Sequence, residues 1–340
     1  MLNLLVLSAC VRPEVLPEND GFTGWIAGEE FDGYGTILKS GDNGLSWFRQ
    51  GSVSQIPDVP LNDVSAIDQN QIWAVGDKLQ GYGMIIHSSN GGVSWERQGT
   101  KTLLDSAALL AVYAKTGTRV WVGGEKGKLI YSDDKGSNWN LVALDSLSKA
   151  SFSGITVFQN SLWVIGNMAD TAGNDSASVI LHSMDGGQTF TSSDPGNFVH
   201  LNALFALDDT TVFLTSGSAV YKSMDGGIHW NSVFTGAFGN ILSVCATSAS
   251  NIWVAGELGR AFRSTDGGVT WMAYWPQSGK YALNGISLFD TARIWICGNG
   301  GDPSRKGVIY YSNNAGKTWF IGNVPVNAGI RGLSFIQGVR

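Results

Sequence analysis

Seven times this chain returns to one short phrase: a serine, an acid or amide two positions on, a glycine two further, and an aromatic residue closing the octet. The copies are SGDNGLSW at 40–47, SSNGGVSW at 88–95, SDDKGSNW at 132–139, SMDGGQTF at 183–190, SMDGGIHW at 223–230, STDGGVTW at 264–271 and SNNAGKTW at 312–319. The serines are 48, 44, 51, 40, 41 and 48 residues apart. Each phrase therefore marks one unit of roughly 45 residues, the length of a four-stranded propeller blade. A phrase used seven times builds the molecule and is not a single active site.

The units repeat in detail. A mostly apolar segment opens each one, as in Leu61–Ile67, Phe152–Phe158 and Ile330–Ile336. A Trp-x-x-Gly segment follows in six units, beginning at Trp25, Trp73, Trp121, Trp163, Trp253 and Trp295, and Phe213-Leu214-Thr215-Ser216 replaces it in the fifth. A third segment runs into the octet, and a fourth starts at its closing aromatic residue. Short strands at regular spacing with Gly-rich turns predict an all-β chain, and four per unit predict a seven-bladed β-propeller of four-stranded antiparallel blades. The first unit lacks an opening strand, while the chain ends on Ile330–Ile336 with no Trp-x-x-Gly after it. The C-terminal strand is therefore expected to complete the N-terminal blade, closing the ring and removing its exposed edges.

The octet has a physical logic. Asp42, Asn90, Asp134, Asp185, Asp225, Asp266 and Asn314 are expected to accept backbone amides and close a tight turn, a structural role. The glycine permits positive φ. This run of Trp-x-x-Gly and Ser-x-Asp-Gly-Gly-x-Thr-Trp resembles the BNR/Asp-box repeat, closest to its Ycf48-like, photosystem II assembly factor-like version, over about Gly24 to Gln337. That resemblance implies a non-enzymatic assembly or stability factor holding a membrane-protein partner. The photosynthetic members' arginine-containing patch has no legible counterpart in this sequence.

Bulk properties narrow the classes. The net charge of −6 over 340 residues argues against nucleic-acid binding, which needs a basic stripe. No apolar run reaches the length needed to span a bilayer. Cys10, Cys245 and Cys297 lack metal-ligand spacing. Cys245 and Cys297 read as free buried thiols or as a bridge between neighbouring blades. The four histidines do not gather: His87 and His182 precede octet serines, where other units place Lys, Tyr or Arg. No cofactor or metal is expected.

The N-terminus carries a separate signal. Residues 2–10 are a short apolar run ending Leu7-Ser8-Ala9-Cys10, which resembles the bacterial lipobox, in which the thiol receives a lipid. No Lys or Arg precedes the run, so the positive segment of a signal peptide is missing. The expected organisation is a signal-like segment over 1–10 with lipidation at Cys10, a tether over 11–23, and one propeller over 24–340. This places a monomeric protein in the bacterial cell envelope, held at the membrane only through Cys10.

Of thirteen tryptophans, six sit in the octets and six in Trp-x-x-Gly segments, leaving Trp275 off the pattern. It lies in a connection predicted on the face opposite the octets, either capping a blade seam or anchoring a partner. Tyr274 and Tyr281 flank it. Tyr34 and Tyr82 repeat Gly-Tyr-Gly on neighbouring blades, as an aromatic ledge or as a duplicated turn. The acidic residues of these loops, Glu29, Glu30, Asp32, Asp77, Asp170, Asp175, Glu257 and Asp302, read as solvation or as a site for a cation or basic partner. Tyr274, Trp275, Tyr281, Tyr34 and Tyr82 are the candidate contacts to an envelope protein or glycan. The alternative is a glycan-binding protein or glycoside hydrolase, sialidase-like or xyloglucanase-like. A sialidase-like site needs an arginine triad and six blades. A xyloglucanase-like site resembles a cleft between two propellers, with an Asp from each.

Overall fold

The protein is described by a computed structural model over residues 21–337, apart from 115–117, 170–174, 194–197, 199, 237–238, 277–280 and 301–305. Cys10, Asp170 and Asp302 lie outside the described residues. The described chain forms seven sheets of four antiparallel strands each. Blade 1 is ordered Ile330–Gln337, Phe22–Phe31, Tyr34–Ser40, Phe48–Arg49 from the axis outward, so the C-terminal strand does close the ring. The pairing runs from Phe22 opposite Gln337 to Gly28 opposite Ile330. Among the described residues the one short α-helix, Lys101–Leu104, lies in the connection between blades 2 and 3.

Strand alternation sorts the side chains. The second strand of each blade is nearly all buried, because it is covered on both faces by neighbouring blades. Trp25, Trp73, Trp163, Trp253 and Trp295 are fully buried there. Each is paired across the sheet with the residue before the octet serine: Trp25 with Lys39, Trp73 with His87, Trp121 with Tyr131, Trp163 with His182, Phe213 with Lys222, Trp253 with Arg263 and Trp295 with Tyr311. In every blade the partner covers the ring. His182 stacks on Trp163 at 4.6 Å, Tyr311 on Trp295 at 5.1 Å, and the Lys39 ammonium sits 5.3 Å over Trp25. Such cross-strand aromatic and cation–π pairs are the local unit of sheet stability. Burial pushes His87 and His182 below the usual histidine range.

The octets are turns in all seven blades. In blade 5, the Ser223 hydroxyl accepts the Gly227 amide at 2.8 Å and donates to Asp225 Oδ1 at 2.8 Å, which in turn accepts the His229 amide at 2.9 Å. Blade 6 repeats this through Ser264, Asp266, Gly268 and Thr270. The Thr270 hydroxyl and amide hold the Asp266 carboxyl down at about 2.

The turn also locks the ring. The Trp of one blade's second strand lies against the turn of the next: Trp163 Nε1 donates to Gly226 O at 2.8 Å, and Trp295 Nε1 to Asn43 O at 2.7 Å. Gly316 has φ +80°, and a Cβ there would sit 2.6 Å from Trp253 of the preceding blade. Glycine is thus required both for conformation and for close approach. Cys245 and Cys297 are free and buried, with both thiols pushed up to about 12 by burial.

Candidate functional site

Four-stranded blades put the octet turns and the first-to-second-strand turns on one face, here the box face. The second-to-third-strand loops and the connections between blades share the other, the loop face. A channel of about 720 Å³ runs along the axis between the seven inner strands.

Each inner strand carries a register shift near its start, the mark of a β-bulge. The bulged residues are Arg331, Asn62, Leu110, Ser153, Asn202, Leu242 and Asn284 in blade order, and all line the channel at its loop-face mouth. Bulges re-aim side chains, and seven in register build a ring. The Asn62 amide donates to Asp77 Oδ1 at 2.9 Å and Leu109 O at 2.8 Å, and it accepts a guanidinium hydrogen from Arg331. Arg331 also lies 3.6 Å from Glu29. Asn202 Nδ2 and Ser153 Oγ are buried without a partner among the described residues.

Deeper in, the inner strands are sewn together by side chains that accept amides of the next blade. Ser65 accepts from Ala114, Thr156 from Ala206, Ser334 from Ala66 and Ser243 from Ile286, at 3.1 to 3.2 Å. Asp63 does the same with a carboxyl: Oδ2 accepts the Val112 amide at 2.9 Å and Oδ1 its neighbour Val64 at 2.8 Å. Burial outweighs these bonds and pushes Asp63 up to about 7. It is the only acidic residue among the described channel-lining residues.

On the rim of the loop face, blades 1 and 2 carry matching stacks. The Arg49 guanidinium lies 3.4 Å from the Tyr34 ring centroid, and Arg97 lies 3.8 Å from that of Tyr82. Arg49 donates to the backbone oxygens of Phe31 and of Tyr34 (3.0 Å), and Arg97 to Gly83 O at 3.3 Å. Among the described residues neither forms an ion pair, and the Nε of each is buried without a partner. Burial pulls both guanidiniums below their ordinary value, with Tyr34 and Asp32 opposing this at Arg49 and Tyr82 at Arg97. The two stacks are paired cationic–aromatic steps with unspent donor capacity.

The residues singled out from sequence divide. Tyr34 and Tyr82 are half-buried beneath these arginines. Tyr274 is 6% exposed, packed 4.9 Å from Trp253 and against Gly316, so it belongs to the seam and not to a binding surface. Its place on a short outer strand, Met272–Tyr274, turns it inward while Trp275 stays half-buried. Trp275 Nε1 finds no partner among the described residues. Tyr281 is half-buried beside a recess of about 400 Å³ with Lys306 and Val324. Residues 277–280 between them lie outside the described set, so Trp275 and Tyr281 are not brought together here.

Acidic loop residues have backbone work. Glu125 accepts the Ala108 amide at 3.1 Å and pairs with Lys78 at 3.1 Å, and Glu257 accepts the Asn240 amide at 2.9 Å. Burial would raise Glu125, but the Ala108 amide and Lys78 hold it below its usual range. Among the described residues no three His, Cys, Asp or Glu side chains gather to hold a metal. The arginines were the missed residues. Their signal is present in the sequence: the two blades with Gly-Tyr-Gly also read Trp47-Phe48-Arg49 and Trp95-Glu96-Arg97.

A family model described as photosynthesis system II assembly factor YCF48 matches residues 121–251. The photosystem II assembly lipoprotein Ycf48 of Synechococcus sp. (strain CC9902) is 25% identical over 176 residues. That alignment covers 50% of this chain and 50% of the relative, so the match spans about half the relative's length. Among solved structures, YCF48 bound to a D1 peptide superposes with a TM-score of 0.61 at 17% identity, over 83% of this chain and 94% of that one. YCF48 from Cyanidioschyzon merolae gives 0.61 at 18%, with the same coverage. A GH74 xyloglucanase from Xanthomonas campestris gives 0.63 at 12% identity, over 92% of this chain and 55% of that one. At these identities the structural likeness establishes the fold alone.

Proposed function

Because this chain is a Ycf48-like BNR propeller, we propose that it is a non-enzymatic scaffold whose loop face holds a segment of an envelope protein. The observation carrying this reading is the twin Arg49–Tyr34 and Arg97–Tyr82 stack on adjacent blades. Each step offers an apolar ring beneath a guanidinium that no carboxylate among the described residues pairs. A partner segment bearing carboxylates or backbone carbonyls supplies the missing acceptors, and arginine and tyrosine are the residue types that concentrate binding energy at protein interfaces. Trp275 and Tyr281 extend the same face. Two further facts support the reading: a Ycf48 relative is named a lipoprotein, and a YCF48 structure holds a peptide. We place this chain in the bacterial envelope on a lipid at Cys10.

The hydrolase alternative meets a chemical obstacle. Glycoside hydrolysis uses two carboxyl groups across the scissile bond, and the described channel wall supplies Asp63 alone, with both oxygens occupied by amides.

The test is capture of a cross-linked partner from native envelope by the wild type and by an Arg49→Gln/Arg97→Gln double variant. Loss of the main cross-linked species by about tenfold or more, with an unchanged melting curve, is expected from removing two charge-assisted contacts. Equal capture by the double variant places the partner elsewhere, and turnover of a glycan panel by the wild type reinstates the enzyme.

A further inference from the structure

We propose that the box face is a membrane-apposed surface, with an arc of exposed apolar side chains on the octet turns resting on the lipid headgroup layer. The proposal builds on the lipid anchor at Cys10, and it settles which way the disc stands on the membrane.

Two independent observations converge on that face. The first is where the chain enters. Phe22, the start of the first strand, lies at the box end of blade 1: its amide donates to Asn43 Oδ1 of the octet turn at 3.2 Å, and its ring packs 4.6 Å from Phe289, beyond the inner strand of blade 7. The second is the distribution of exposed apolar residues. Val93, Met184, Met224, Ile228 and Val269 all project from octet turns, and they are 57 to 80% exposed. Phe289 adds a partly exposed ring beside the entry point. By contrast, among the described loop-face residues only Val53 and Leu258 are large, apolar and exposed.

The tether length makes this geometry binding. Eleven residues separate Cys10 from Phe22, and the twelve Cα-to-Cα steps between them reach about 40 Å at full extension. The strand Phe22–Phe31 has ten residues, so the two faces stand about 33 Å apart. Turning the loop face to the bilayer spends nearly the whole tether crossing the disc, with nothing left to pass around its rim. Box face down, the same tether is slack. A short tether also raises the effective concentration of the surface at the bilayer, so individually weak apolar contacts suffice. The octet carboxylates of Asp185 and Asp266 stay ionised, held by the hydroxyls and amides of their own turns, and so favour a surface without net negative charge. With a net charge of −6, the matching surface is a zwitterionic one. The loop face, with its Arg–Tyr stacks, then points away from the bilayer.

The experiment couples the full chain through the Cys10 thiol to maleimide-bearing phosphatidylcholine vesicles. Cys245 and Cys297 are buried and do not compete. Hydroxyl-radical oxidation of Met184 and Met224 is compared with that of protein coupled to a water-soluble maleimide. A fall of about threefold or more at both methionines, with Tyr34 and Tyr82 unchanged, is expected from tethered apposition. An Ile228→Ser/Val269→Ser variant keeps both probes and is expected to lose at least about half of that protection, because apolar contact area sets the binding. Unchanged oxidation at Met184 and Met224, or protection at Tyr34 and Tyr82, overturns the proposal. Chemical coupling keeps this result separate from the anchor itself, since an intact-mass measurement showing unacylated Cys10 in cells would refute only the anchor.

Discussion

Asp63 is the residue whose surroundings most change its chemistry. Serine does the same seam work at the corresponding place in blade 6, where Ser243 accepts the Ile286 amide. The carboxyl at position 63 is raised to about 7 from an ordinary value of 3.8, so between those values the folded state holds a proton that the unfolded chain has released. Stability is therefore lost as pH rises from about 4 towards 7, up to an upper limit of about 4 kcal/mol before screening by channel water. Asp63→Ser is expected to flatten that slope: urea midpoints of wild type and variant should diverge between pH 5 and pH 8, with the variant the more stable at pH 8. Parallel midpoints across that range would show that the carboxyl titrates normally. None of this was legible beforehand, because one acid in an apolar inner strand looks the same in sequence whether its oxygens meet water or amides. Tyr274 was misjudged for a related reason: linear position does not tell which side of a three-residue outer strand turns inward.

At the scale of elements, the octet turn and the preceding blade's Trp form one joint. The sequence periodicity exposed both partners, and the turn chemistry followed from residue type. What it hid was that they touch across a blade boundary, since contacts between units leave no mark in a repeat. Gly316→Ala tests the joint, because the new methyl meets Trp253 and adopts φ +80°. A loss of about 2–4 kcal/mol is expected from overpacking and strain together, read as a lowered denaturation midpoint. A neutral substitution would mean the Trp253 ring yields easily. The Arg–Tyr stacks belong to this scale too, because each unites an outer strand with a loop; the sequence offered the tyrosines, and only pairing of distant offsets would have offered the arginines.

For the whole molecule, closure is the decisive property, and it was readable because the two ends of the array are complementary halves of one blade. Deleting residues 331–340 removes almost all of the strand Ile330–Gln337 and leaves Phe22–Phe31 with an open inner edge. Such a truncation is expected to lower the melting temperature by about 10 °C or more and to promote association through the freed edge, measured by calorimetry and light scattering. An unchanged melting temperature would mean that the ring is held by its other six seams alone.

The cover over each second-strand ring has a consequence for divergence. Lys, His, Tyr and Arg all occupy that place within this one chain, and each satisfies the same demand for a flat or cationic lid. A position that accepts four chemistries constrains almost nothing about the residue that fills it. Blades built this way can drift apart in letters while remaining superposable in space, so the kinship of such propellers outlasts their readable sequence.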